Sequence, residues 1–231
     1  MNQIGIQDKG TASTLGFSKR DLSGKRIAVL LFSYYPIDAR PRRAAETLAE
    51  EGATVDLFCL QQDKAEPSRE VINGVNVFRI PVKKTRGSKL SYFAQYGSFL
   101  TACFFRLLNG TLRHRYDLVH VHNMPDVLVF SSIVPKLFRA KVLLDLHDPM
   151  PELMQCIYDL PESHYFVRLL DRLERLSIRF ADRVVTPNLS FRHLFVGRGC
   201  PPEKVDIVMN SPESSIFCPE KYPVVVSMEK R

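Results

Sequence analysis

A chain of 231 residues, 45% hydrophobic and 25% charged, has room for one large core or two small ones and is neither disordered nor fibrous in composition. Its formal charge of +7 points to anionic partners without choosing among phosphates, nucleotides, anionic lipid and nucleic acid. Five scattered cysteines without a Cys-x-x-Cys pair argue against a disulfide framework and for a reduced, cytoplasmic setting.

Residues 1–24 read as a flexible leader, polar and without the apolar stretch of a secretory signal. Residues 26–33 are a near-continuous apolar run, the pattern of a strand covered on both faces. A helix follows, with Pro41 in its first turn, an apolar stripe of Ala44, Ala45, Leu48 and Ala49, and Gly52 as its stop. Strands are predicted over 54–60 and 75–80, the second entered through the Asn73-Gly74 turn. Residues 90–112 read as a long helix; its uncharged part, 90–105, is short for a membrane span and suits a buried or interfacial helix.

Further strands are predicted over 118–121, 142–146, 183–185 and 204–208. Between them, Asn123 is expected to cap a helix that Pro135 kinks or ends. Phe166, Leu169, Leu170, Leu173 and Phe180 mark an amphipathic helix, and Asn188 caps another running to about Val196. Strands alternating with helices predict an α/β fold: a single Rossmann-like, doubly wound parallel sheet over 25–213, followed by a linker or tail over 214–231.

In such sheets ligands bind at the carboxyl edge, so the residues ending each strand are the candidates. The turn after the first strand has no Gly-x-Gly-x-x-Gly, and no Gly-Lys-Ser/Thr loop occurs, which excludes a nicotinamide dehydrogenase and a P-loop enzyme. The turn carries instead Asp38, Arg40, Arg42 and Arg43 at a helix N-terminus, where dipole and guanidinium groups favour an anion; capping and solvation are the plainer explanation of the same residues. His122 ends one strand and is followed by Asn123 and Asp126. Asp145 and His147 share a face of the next, with Asp148 and Glu152 close behind. His120 and His122 are expected to face opposite sides of their strand, which leaves His120 as packing and argues against a metal centre. No basic patch is interleaved with aromatics, so nucleic acid is not expected.

Several segments taken in order resemble the N-terminal half of family 4 glycosyltransferases, the retaining GT-B class. They are Lys25-Arg-Ile-Ala-Val, Asp38-x-Arg-x-x-Arg43, Asp117-Leu-Val-His-Val-His-Asn, Leu144-Asp-Leu-His-Asp-Pro-Met-Pro-Glu, Phe180-Ala-Asp-Arg-Val-Val-Thr-Pro-Asn and Val208-Met-Asn. The resemblance implies the acceptor-binding domain of an enzyme that moves a sugar from a nucleotide sugar to a glycan or lipid-linked acceptor, in polysaccharide or glycoconjugate synthesis at the inner membrane face. It implies His147 as the catalytic residue beside the reacting sugar. Asp38, Arg40, Arg42, Arg43, His122, Asn123, Asp126, Asp148, Glu152, Thr186, Asn188 and Asn210 are the implied substrate contacts, with no metal and no cofactor beyond the nucleotide-sugar substrate. The sequence departs from the family in lacking the first-turn glycine pair, and the Glu-x7-Glu donor region lies outside it. A donor-domain partner, and possible peripheral membrane contact, are therefore expected. The competing expectations are a non-catalytic glycan- or lipid-binding subunit and an inactive remnant.

Overall fold

The computed structural model describes residues 21–82 and 89–211. Residues 1–20 of the expected leader, the lysines at 83 and 84, and the expected tail at 214–231 lie outside these. The four described leader residues are not free: the Leu22 amide donates to the Glu51 carbonyl at 2.7 Å.

Eight strands form one sheet: β1 (Arg26–Leu30), β2 (Thr54–Leu60), β3 (Arg69–Ile72), β4 (Val75–Ile80), β5 (Leu118–His122), β6 (Lys141–Asp145), β7 (Arg183–Thr186) and β8 (Val205–Ile207). Their order is β3-β4-β2-β1-β5-β6-β7-β8. All pairings are parallel except β3 with β4. The helices are α1 (Ala39–Glu50), α2 (Lys89–His114), α3 (Ile133–Leu137), α4 (Met150–Tyr158), α5 (Tyr165–Phe180) and α6 (Leu189–Gly197). This is the Rossmann-like α/β fold predicted.

The apolar run of β1 is continuous because both of its faces are buried. Ile27 and Val29 pack with Val55, Leu57 and Ala45 of α1, while Ala28 and Leu30 pack with Phe99, Cys103 and Leu107 of α2. Each such Val, Leu, Ile or Phe side chain removed from water stabilises the fold by about 1.5–3 kcal/mol. No described helix is long and apolar enough to cross a membrane.

Two local expectations are corrected, and two elements are added to those expected. The Asn73-Gly74 turn joins β4 to an edge strand, β3, whose exposed-intermediate alternation hid it. Asn123 caps no helix: a 3-10 segment, Asp126–Ser132, follows Pro125 instead. Helix α4 forms after Pro149 with Pro151 in its first turn, where proline is tolerated. The buried face of α5 is Val167, Leu170, Glu174, Ser177 and Ile178, while Leu169 is exposed. Asn188 does cap α6, accepting from the Phe191 amide at 2.8 Å.

Asp56 on β2 is a second buried junction, accepting from Arg26 Nη1 at 3.0 Å, Asn76 Nδ2 at 2.9 Å and the Tyr116 hydroxyl at 3.0 Å. Gly110 of α2 lets Tyr116 reach it: a Cβ there would sit 2.5 Å from the Tyr116 hydroxyl oxygen. Gly110→Ala is expected to cost about 1–3 kcal/mol through overpacking, despite the better helix propensity of alanine. Urea denaturation checks this, and an unchanged midpoint would show that Tyr116 yields freely.

Candidate functional site

The carboxyl ends of β5 and β6 lie side by side, with His122 in register with Asp145. Helix α1 begins beside them and brings in Arg40. Its Nη2 donates to Asp145 Oδ1 at 2.7 Å and its Nε to Oδ2 at 3.3 Å. Three imidazoles crowd the same Oδ2: His122 Nδ1 at 3.2 Å, His147 Nε2 at 3.3 Å and His120 Nε2 at 3.6 Å. Four nitrogens exceed what one carboxylate oxygen can accept in good alignment. Accordingly His120 Nε2 and both His122 nitrogens lack an aligned hydrogen bond.

This overturns the assignment of His120 and His122 to opposite sides. Residues two apart on a strand share a face, and the two rings stand 4.2 Å apart, centroid to centroid. His120 is therefore part of the cluster, and Asp145 is its centre. Both were legible in the His-x-His and Asp-x-His spacing once that rule was applied correctly.

Burial pushes the Asp145 carboxyl up, but the three imidazoles gathered at its Oδ2 outweigh it, and the group lies far below the usual carboxylate range. Burial, with His120 beside it, pushes His122 down to about 3 against the pull of Asp145. At neutral pH the centre is thus an aspartate anion, a neutral His122 and the Arg40 cation.

His120, His122 and Asp145 offer three buried donor atoms within 4.8 Å of one another, close enough to hold a metal ion. Their shared face removes the geometric ground for expecting no metal. A cation there would confront the Arg40 guanidinium already paired to the same carboxylate. The donor set fits an arginine-compensated carboxylate better than a metal centre.

Above the cluster opens a cleft of about 420 Å³ lined by Asp38, Arg40, Arg43, His122, Asn123, His147, Asp148 and Asn210. His147 keeps a side-chain exposure of 21%, against 1% for His122 and 8% for His120, so it is the imidazole of the three most open to the cleft. Asn123 fixes it: Oδ1 accepts from the His147 amide at 2.9 Å and Nδ2 donates to the Asp148 carbonyl at 2.8 Å. The segment after β8 closes the far wall, with Asn210 Oδ1 accepting from Arg40 Nη1 at 2.8 Å and the Ser211 carbonyl accepting from Arg43. Asp38 occupies the N-cap position of α1 without a side-chain capping bond, so its carboxylate is available to the cleft.

Five expected residues stand elsewhere. Arg42 does not line the cleft. Glu152 pairs with Arg198 in a separate cavity beside α5. Asp126 is buried, and burial with Glu174 nearby pushes it up to about 7. Thr186 is fully buried at the end of β7. Asn188 spends its side chain on the α6 cap.

Residues 37–211 match the model of the glycosyl transferase 4-like domain. The chain belongs to that family. No curated protein matches the sequence. Among solved structures, this family 4-like chain is similar to sucrose-phosphate synthase from Thermosynechococcus elongatus, at 17% identity and a TM-score of 0.59, covering 84% of this chain and 50% of that one. It is similar to UGT2 of Phytolacca americana, complexed with UDP-2-fluoro-glucose and pterostilbene, at 8% identity and a TM-score of 0.55, covering 84% and 56%. It is also similar to Anabaena HepE in complex with UDP-glucose, at 14% identity and a TM-score of 0.50, covering 83% and 45%. At these identities the likeness is one of fold. The chain spans about half the length of these GT-B glycosyltransferases, consistent with an N-terminal domain.

Proposed function

We propose that this family 4-like domain is the acceptor-side half of a retaining sugar-transfer site, working opposite a donor-binding domain supplied by further chain or by a partner. The observation that carries this is the carboxyl-edge cleft, where His147 is presented to a ligand by Asp145 and Asn123 at the start of α1. A glycan or lipid-linked acceptor lies in the cleft, its hydroxyls taken by Asp38, Asn123, Asp148 and Asn210. Arg40, Arg43 and the α1 N-terminus supply positive potential toward the diphosphate of a nucleotide sugar. His147 hydrogen-bonds the transferring sugar, its ring oriented by the aspartate behind it as in other aspartate–histidine pairs. This role needs neither metal nor cofactor. The net positive charge suits acceptors at the cytoplasmic face of a membrane.

Binding of glycan and glycolipid acceptors to the chain, followed by amide shifts, tests the acceptor assignment. Perturbation should centre on Asp38, Asn123 and Asp148, and Asp148→Ala should weaken binding about tenfold, the worth of a hydrogen bond to a polar ligand. Acceptors that bind without perturbing these residues contradict it. The second reading, a non-catalytic lipid- or glycan-docking subunit, is favoured by Phe105 and Leu112, 60% and 65% exposed on α2. It predicts binding that survives Asp148→Ala.

A further inference from the structure

A second cavity, of about 410 Å³, lies at the opposite, amino edge of the sheet, between the starts of β1, β2 and β4 and the last turns of α2. Its walls carry Arg26, Arg69, Arg106, Arg113 and His114, with Asp56 as the one carboxylate. Four arginines against one aspartate leave three uncompensated positive charges before the histidine is counted. Asp56 does not answer them, because Arg26, Asn76 and Tyr116 already occupy its oxygens. Among the described residues, Arg69, Arg106 and Arg113 have no carboxylate within ion-pair distance.

Helix geometry explains part of this and not the rest. Arg113 and His114 stand in the last turn of α2, where cations complement the helix dipole. That effect fades within a turn, and Arg106 lies two turns further back. The spacing of seven residues puts Arg106 and Arg113 on one face of α2, aimed at the same cavity. Arg69 comes from another element, the edge strand β3, and is held over the Phe78 ring at 5.1 Å. Phe78 itself stacks on Phe58 at 5.2 Å, giving the cavity a rigid aromatic wall. An ordinary solvated face mixes carboxylates among its cations; this concave one gathers guanidinium groups from three elements.

We propose that the amino-edge cavity binds a phosphate-bearing anion, with Arg69, Arg106 and Arg113 as its principal ligands and Asn76 and Asn109 as neutral donors. The forked guanidinium groups match phosphate oxygens, and the volume admits a pyrophosphate or a phosphomonoester headgroup. The site is separate from the carboxyl-edge cleft and does not rest on the sugar-transfer reading. The same chemistry comes from a soluble phosphate compound or from an acidic phospholipid, and Phe105 and Leu112 stand exposed on the same helix as Arg106 and Arg113.

The test titrates the chain with inorganic pyrophosphate while following backbone amides, and in parallel sediments it with phosphatidic acid/phosphatidylcholine vesicles against pure phosphatidylcholine. Arg106→Gln with Arg113→Gln removes two ligands. Arg172→Gln with Arg179→Gln on α5 removes the same charge elsewhere. Saturable shifts at Asn76, Asn109 and Gly110, weakened tenfold or more by the first pair and less than twofold by the second, are the expected result for a soluble ligand. Sedimentation with phosphatidic acid vesicles that follows the same pattern, without saturable pyrophosphate shifts, identifies a headgroup. If neither probe perturbs the cavity, or if both pairs of substitutions act alike, the site does not exist.

Discussion

Asp145→Asn is expected to lower the unfolding free energy by about 3–5 kcal/mol, the range for removing one partner of a buried charge pair. Arg40, with a side chain only 14% exposed, would lose its counter-charge and one of its two bonds, since an amide keeps a single acceptor oxygen. The three imidazoles would lose the acceptor around which they gather. Urea denaturation at pH 7 measures the effect. The pH dependence has a definite sign. The folded Asp145 carboxyl lies below its unfolded value, so its contribution is present above about pH 4 and fades below it, where mutant and wild type converge. His122 is also lowered, to about 3, so the unfolded chain takes up a proton that the folded chain refuses, and stability falls as pH drops from about 6.5 toward 3. His122→Asn removes that second loss and leaves the first. A deficit in Asp145→Asn below 1 kcal/mol at pH 7 would show that Arg40 and the histidines find other partners.

The second large effect lies in the separate cavity beside α5, at Arg198. It donates to Glu174 at 2.6 Å and to Glu152, and stands 3.5 Å from Asp171. Glu174 is fully buried. Arg198→Met is expected to cost about 3–5 kcal/mol, because it leaves a buried carboxylate without its cation. Here the sign is reversed. Burial pushes Glu174 up to about 7 even with Arg198 in place, and Asp126 likewise. A raised carboxyl gives stability that is fully present below its unfolded value and is lost as pH rises to 7. The Arg198→Met deficit should therefore be larger at pH 8 than at pH 5, where Glu174 is protonated and needs no cation. Glu174→Gln should be milder than Arg198→Met at both pH values, and less pH-dependent than wild type between 5 and 8. An equal Arg198→Met deficit at pH 5 and pH 8 would contradict the burial of an ionisable Glu174. These acids and His122 pull the wild-type curve in opposite directions near pH 5–6, so the substitutions separate what the parent protein averages.

The sheet was legible because parallel strands buried on both faces leave near-continuous apolar runs, as in 27–32 and 142–144. Edge strand β3 was not, since Arg69-Glu-Val-Ile offers four residues with mixed exposure. The site was legible as a place, the carboxyl edge, and in His147, Asn123 and Arg40. Its centre was missed for a simple reason of strand geometry: His120 and His122, two residues apart, share a face. Glu174 was hidden by being polar. It completes the buried α5 stripe four residues after Leu170 and four before Ile178, a spacing that marks a core position whatever the residue. Glu152 looked like a site residue from its place after Asp145-Leu-His-Asp, but from the first turn of α4 its side chain reaches toward Arg198.

The most direct measurement is sugar transfer by the chain combined with a family 4-like donor-binding domain, across a panel of nucleotide sugars and glycan or lipid-linked acceptors. The account predicts release of nucleoside diphosphate that needs both halves and an acceptor, and that falls at least 100-fold in His147→Ala while the folded state is retained, a loss of about 3 kcal/mol in transition-state stabilisation. Transfer that proceeds unchanged in His147→Ala, or a wild-type chain that supports none with any donor domain, would contradict it.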